Sequence, residues 1–198
     1  MKSLALVLVL SGCVSGGALT AKSEPVAIRL FSPEDATVTT TTSASAPTTD
    51  APKIRLGRVT SSTSLRARIV HRDSPYEVGM YETFRWTDNP DVFVRRAIAR
   101  ALFDDGRAQQ AVTGNAPTLD VDVVSFEVDR AKKQRAGRVE LRWELRDETR
   151  VLASGVARSE HDAASPSMEG IVAAIAAAMN EASGEIAHKT IDSLMQRR

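Results

Sequence analysis

The chain has 198 residues, of which 42% are hydrophobic, with 26 Lys and Arg, 25 Asp and Glu, and one cysteine. Its balanced charge argues against nucleic acid as the main partner, because phosphate binding requires a basic surplus. A single cysteine excludes a disulfide within the chain, so stability must come from a hydrophobic core. The length is sufficient for one domain.

The first twelve residues have the features of a secretory signal. Lys2 precedes an apolar run over residues 4–10, which is shorter than the roughly 20 residues of a membrane-spanning helix and typical of a signal peptide. The run ends in "LSGC", residues 10–13, which resembles a bacterial lipobox with leucine three positions before an obligatory cysteine. This resemblance implies removal of residues 1–12 and attachment of diacylglycerol to the Cys13 sulfur.

Lipidation of Cys13 would hold the protein at a membrane, because each buried CH₂ contributes about 0.8 kcal/mol and the cysteine carries two or three acyl chains. A buried structural cysteine and a chance thiol in an ordinary signal peptide are the alternatives. Lipoproteins kept at the inner membrane tend to carry aspartate after the cysteine, so Val14 favours the outer membrane, facing the periplasm. Residues 13–24 are small and polar and predict a lipidated tether.

Residues 25–198 predict the folded part of the chain. Residues 25–31 are β-rich, whereas residues 35–52 consist mainly of Thr, Ser, Ala and Pro and predict a disordered loop, with a mucin-like stalk as the alternative. Strands are predicted at residues 53–59, 64–72 and 76–86, and Gly79 is the expected bulge in the last of these.

The second half of the chain predicts a helix, three strands and a long helix. Asn89 is the expected cap of a helix that ends near Gly106. A phase shift after Val123 predicts a bulge in the strand at residues 118–128. That strand and those at residues 138–146 and 151–159 predict an antiparallel meander with one solvent-facing side. The last helix is expected to have Ser165 as its cap and Pro166 as its first residue, and to kink at Gly184.

This order of elements predicts a single α+β domain with an antiparallel or mixed sheet and two main helices packed on it. No phosphate-binding loop, nucleophile elbow or metal-ligand spacing is present in the sequence, and His71, His161 and His188 lie far apart. We therefore expect no enzyme, no cofactor and no metal site. A catalytic carboxylate pair, and with it a lipid-anchored enzyme, stays open as a further reading.

Two stretches stand out from this background. Residues 130–138, "RAKKQRAGR", carry five cationic side chains and predict either a solvated turn or a contact with anionic headgroups or an acidic partner. Residues 76–90, "YEVGMYETFRWTDNP", are rich in aromatic residues in a chain where these make up only 5%. They predict either core packing or a partner-binding surface.

Residues 68–103 resemble the signature stretch of the ABC-type transport auxiliary lipoproteins, the paraquat-inducible protein C-like family. The shared pattern is a strand ending in Arg72, then "SPYE", a second strand closing on Arg85-Trp86, and Pro90 opening a helix. The resemblance implies a periplasmic partner of ABC transporter subunits and of a mammalian cell entry-type carrier of lipid or hydrophobic solute. ATP would then be hydrolysed by another subunit.

On this reading the lipoprotein docks the carrier to the outer membrane through lipidated Cys13, and Tyr76, Tyr81, Arg85 and Trp86 form or shape the docking face. The main alternative is an outer-membrane lipoprotein that regulates cell-wall synthesis or another envelope assembly machine. The neutral surface and an open sheet edge also permit a homo-oligomer.

Overall fold

The computed structural model describes residues 27–34, 36 and 51–197. The predicted signal peptide, the predicted tether at residues 13–24 with Cys13, and most of the Thr-rich segment therefore lie outside the described residues. The described part forms one eight-stranded mixed sheet with two helices, which confirms the predicted single α+β domain. The elements in chain order are β1 (Arg29–Phe31), β2 (Lys53–Ser61), β3 (Arg68–Ser74), β4 (Glu77–Trp86), α1 (Pro90–Phe103), β5 (Gln109–Gln110), β6 (Thr118–Asp129), β7 (Ala136–Arg146), β8 (Val151–Asp162) and α2 (Met168–Met195).

The last three strands form the predicted antiparallel meander, with β7 between β6 and β8. The β6–β7 register shifts between Val123 and Ser125, which confirms the predicted bulge and leaves Val124 as the extra residue. Alternate residues of β7 point into the core, as the sequence pattern predicts. The buried ones are Val139, Leu141, Trp143 and Leu145.

The other edge of β6 is shared by two strands. β2 runs parallel to the first half of β6, and β3 runs parallel to its last three residues. β4 returns antiparallel to β3, β1 adds in parallel to the end of β4, and β5 adds to β2. Because β3 and β6 are parallel, the turns that follow them lie at the same end of the sheet.

The first helix begins and ends close to its predicted limits. Asn89 occupies the cap position but its side chain makes no capping hydrogen bond. Gly106 follows the helix with φ of 67°, a left-handed conformation that glycine adopts without strain. The helix buries one side, which includes Phe93 and Ile98.

The second helix begins two residues after its predicted start. Ser167, rather than the predicted Ser165, caps it by accepting a hydrogen bond from the Gly170 N–H. Two serines flank Pro166, and the sequence alone does not distinguish which of them is the cap. The helix then runs through Gly184 without interruption to Met195.

The second helix packs closely on the meander. A Cβ built on Gly137 of β7 would lie 2.3 Å from the backbone nitrogen of Ile175, so only glycine permits this approach. The predicted apolar stripe of the helix is buried, which confirms that it faces the core. Its members are Met168, Val172, Ile175, Met179, Ala182 and Ile186.

Candidate functional site

The aromatic-rich stretch forms the β3–β4 hairpin, whose second strand carries a wide bulge. Arg68 pairs with Arg85 and Val70 pairs with Met80, so residues 81–84 of β4 lie opposite the single residue Ile69. The predicted bulge at Gly79 is wrong, because Gly79 pairs regularly with His71 and the register shifts lie at residues 81–84 and at Asp73.

Gly79 has a different role in the hairpin. It lies directly opposite His71, and a Cβ built on it would approach the His71 imidazole to 2.4 Å. The glycine thus makes room for the ring. The His71 Nδ1 atom lies 3.0 Å from Asp73 Oδ2, an ion-pair distance without the alignment of a hydrogen bond.

The predicted docking residue Arg85 stabilises the bulge from within. Its Nη1 atom donates hydrogen bonds to the backbone carbonyls of Tyr81 and Phe84, both at 2.9 Å. These carbonyls lie in the stretch where β4 loses its regular pairing with β3. Buried carbonyls need such partners, because leaving one unpaired costs free energy. Arg85 therefore holds the shape of the hairpin.

The predicted docking residue Tyr81 belongs to a half-buried aromatic cluster. Its ring centroid lies 4.9 Å from that of His71 and 5.5 Å from that of Phe84. Phe31 of β1 packs edge-on against Phe84. The guanidinium of Arg130 lies 5.9 Å from the Tyr81 ring, within the range of a cation–π contact.

The predicted docking residue Trp86 lies in the core, with 2% of its surface exposed. Its indole packs edge-on against Phe93 of α1 and Phe126 of β6. A direct contact between this side chain and a partner is thus incompatible with the fold. Any part that Trp86 has in docking is to position the end of β4.

The predicted docking residue Tyr76 lies in the turn of the hairpin and is 98% exposed. Two further apolar side chains of β4 are exposed and were not among the predicted docking residues: Val78 at 50% and Met80 at 41%. Their alternation with Tyr76 was visible in the sequence. The structure therefore separates the predicted set into an exposed tyrosine, a half-buried pair and a core tryptophan.

A buried ion pair connects the hairpin to the meander. The Arg72 guanidinium contacts both carboxylate oxygens of Glu127, at 2.7 and 3.2 Å. Glu127 is only 3% exposed. The hydrogen bond to Glu127 raises the pKa of Arg72 above its ordinary value. The bidentate geometry fixes β3 against β6.

The basic turn at residues 130–138 lies beside the hairpin, but its charges are largely partnered. Lys133 is the one cation of this stretch without a hydrogen bond or ion pair to a described residue. The pairing favours a solvated turn over a surface for anionic headgroups. The observed partners are Asp73 for Arg130, Glu160 for Lys132, the Pro166 carbonyl for Arg135, and Glu140 for Arg138.

One cluster has the residue types of a catalytic triad but not its order. Glu181 Oε2 accepts hydrogen bonds from Ser159 Oγ and from His161 Nε2, both at 2.6 Å. The hydrogen bond from Ser159, followed by that from His161, lowers the Glu181 pKa. A triad requires the imidazole to contact the hydroxyl. Here the carboxylate lies between them, so the histidine does not activate the serine.

No group of three or more His, Cys, Asp or Glu side chains among the described residues is arranged to hold a metal ion. Neither helix in the described part of the chain is both long and apolar enough to span a bilayer.

Comparison with known proteins identifies similar chains. A family model described as "ABC-type transport auxiliary lipoprotein component" matches residues 35–187. The crystal structure of protein XCC0632 from Xanthomonas campestris is similar with a TM-score of 0.71 and 21% identity, covering 85% of this chain and 98% of that one. A crystal structure of an uncharacterized protein has a TM-score of 0.60 and 15% identity, covering 70% and 91%. None of the curated proteins matches. At these identities the solved structures support the fold alone.

Proposed function

The chain belongs to the family of ABC-type transport auxiliary lipoprotein components, and on that premise we propose that it docks a carrier protein to the outer membrane. The carrier is of the mammalian cell entry type and moves lipid or a hydrophobic solute across the envelope. ATP is hydrolysed by the transporter's own subunits, and this chain contributes binding rather than catalysis. The observation that carries the proposal is the family match, which spans the whole β3–β4 hairpin.

The geometry of the hairpin supports a docking role. Arg85 and the Arg72–Glu127 pair hold its backbone, while Tyr76 stands fully exposed at its turn. Exposed tyrosine on a rigid support is favourable for binding, because little conformational entropy is lost on association. Tyr81 and Trp86 contribute by shaping the hairpin.

The anchor limits where docking takes place. Residues 14–26 connect the proposed lipid attachment at Cys13 to the first described residue. A chain of this length spans at most about 45 Å when fully extended. The start of the domain at residue 27 therefore stays within about that distance of the proposed lipid attachment.

Crosslinking in intact cells tests this function. The full chain is crosslinked and purified, and its partners are identified by mass spectrometry, with Cys13→Ala as the anchor-deficient control. We expect recovery of a carrier together with ABC subunits, and loss of membrane association in the control. Recovery of peptidoglycan synthases in place of a carrier would contradict the proposal and favour a regulator of cell-wall synthesis.

A further inference from the structure

The outer edge of β4 is open along most of its length in the part of the chain that the structure describes. β3 occupies its inner edge, whereas β1 pairs only with Phe84, Arg85 and Trp86. No strand among the described residues therefore lies on the outer side of residues 77–83. Unpaired N–H and C=O groups along a strand edge are a template for a further strand.

The side chains along this open edge are apolar on one face. Val78 pairs with Arg72 and Met80 pairs with Val70, so both lie on the side of the sheet opposite the His71 imidazole. Both are about half exposed, and the exposed Tyr76 lies in the turn just before them. An added strand would place every second side chain against these apolar residues, and such alternate contacts give strand addition its specificity.

The free charge along this edge is negative. Glu77 and Glu82 are exposed, and neither forms an ion pair with a described residue. The cations at the turn are paired, Arg72 with Glu127 and Arg130 with Asp73, whereas Arg68 and Arg85 lie beyond the bulge. The edge therefore complements a basic segment.

We propose that β4 binds by strand addition an extended segment of the carrier in which basic and apolar side chains alternate. The segment pairs with residues 77–80, before the bulge, and continues the sheet beyond the point where β1 ends. Its apolar side chains cover Val78 and Met80, a basic side chain meets Glu77, and Glu82 adds negative charge at the bulge. The identity of the partner as a carrier rests on the proposed function, whereas the mode of binding rests on the open edge.

The opposite edge of the sheet provides the matched comparison. β8 is also an edge strand, with exposed Val156, but the charged side chains in its middle are paired within the chain. Arg158 pairs with Glu140 and Glu160 pairs with Lys132. Arg197 further caps the edge by donating a hydrogen bond to the Leu152 carbonyl. The exposed apolar side chains of β8, Val151 and Val156, are five residues apart, so β8 lacks the alternating apolar pair that marks β4.

The first test uses two short peptides, one of alternating Lys and Val and one of alternating Glu and Val, added to the full chain in detergent. We expect the Lys peptide to slow hydrogen exchange at residues 77–80 and the Glu peptide to have no effect. Val78→Lys should weaken binding about tenfold, a loss of about 1.4 kcal/mol. Val156→Lys should leave it unchanged. Equal melting temperatures for the two variants exclude a folding defect.

Three results would overturn strand addition at β4. The Lys peptide could slow hydrogen exchange in β8 in place of β4, both peptides could slow exchange equally, or Val78→Lys and Val156→Lys could weaken peptide binding equally. The same variants are then compared by crosslinking in intact cells. Loss of the carrier with Val78→Lys alone supports the proposal. Equal recovery of the carrier with both variants overturns strand addition but does not contradict the docking function. No carrier with the unmodified chain overturns the docking function itself.

Discussion

The indole ring of Trp86 packs edge-on against the phenyl ring of Phe126, with the ring centroids 5.4 Å apart. This contact joins the end of β4 to the middle of the sheet. Its neighbour Arg85 turns back to the carbonyls of Tyr81 and Phe84. The Arg85-Trp86 dipeptide of the signature stretch therefore holds the docking hairpin in place.

Replacement of the buried indole should destabilise the fold. We expect Trp86→Ala to lower the free energy of unfolding by about 3–5 kcal/mol, because it leaves a large cavity between β4, α1 and β6. Tyr76→Ala serves as the control and should change it by less than about 0.5 kcal/mol, since that side chain is exposed. Urea unfolding followed by circular dichroism measures both. An equal loss of unfolding free energy in the two variants would contradict the placement of Trp86 in the core and of Tyr76 at the surface.

The sequence predicts the regular part of this fold well and the hairpin poorly. Strict alternation along β7 identifies its buried face, and the shift of the apolar alternation after Val123 locates the β6 bulge. Both follow because successive side chains of a strand point to opposite faces of the sheet. In β4 apolar and aromatic residues occur on both faces, so no phase identifies Trp86 as buried. The β4 bulge depends on Arg85 binding two carbonyls, a contact without a sequence signature. The sharing of one edge of β6 by β2 and β3 likewise depends on long-range pairing.

The close approach of α2 to β7 predicts opposite effects for two glycine substitutions. Gly137→Ala should destabilise the protein, because the added methyl group would overlap the backbone at Ile175. Gly184→Ala should stabilise it by about 0.4–1 kcal/mol, since the position is helical and alanine is the better helix former. The structure places nothing within 4 Å of a Cβ at Gly184. Thermal unfolding of both variants checks the prediction, and a stabilising Gly137→Ala would contradict the packing described.

The buried pair between β3 and β6 predicts a non-additive result. Arg72→Met leaves the Glu127 carboxylate buried without its partner and should cost about 3–5 kcal/mol. The double variant Arg72→Met with Glu127→Leu removes both charges and should recover most of that loss. A double-mutant cycle by urea unfolding measures the coupling. Additive losses in the double variant would be inconsistent with a desolvated pair.

A pH dependence follows from Glu140, whose pKa is lowered by the hydrogen bond from Arg158 and by the nearby Arg138. The unfolded state then binds the proton more readily than the folded state. The stabilisation is therefore present above the ordinary glutamate pKa and lost as the pH falls through the lowered one. We expect the difference in unfolding free energy between the unmodified chain and Glu140→Gln to shrink from about pH 5 to about pH 3. A difference that grows on acidification would have the wrong sign.

Site-specific photocrosslinking in intact cells tests the central claim most directly. A photoreactive amino acid replaces Tyr76 at the exposed turn of the hairpin or Val156 on the opposite edge strand, in the full lipidated chain. The account predicts an adduct with a carrier protein from position 76, little or none from position 156, and loss of the adduct when Cys13 is replaced by alanine. A carrier adduct from position 156 alone, or an adduct with peptidoglycan synthases from position 76, would contradict it.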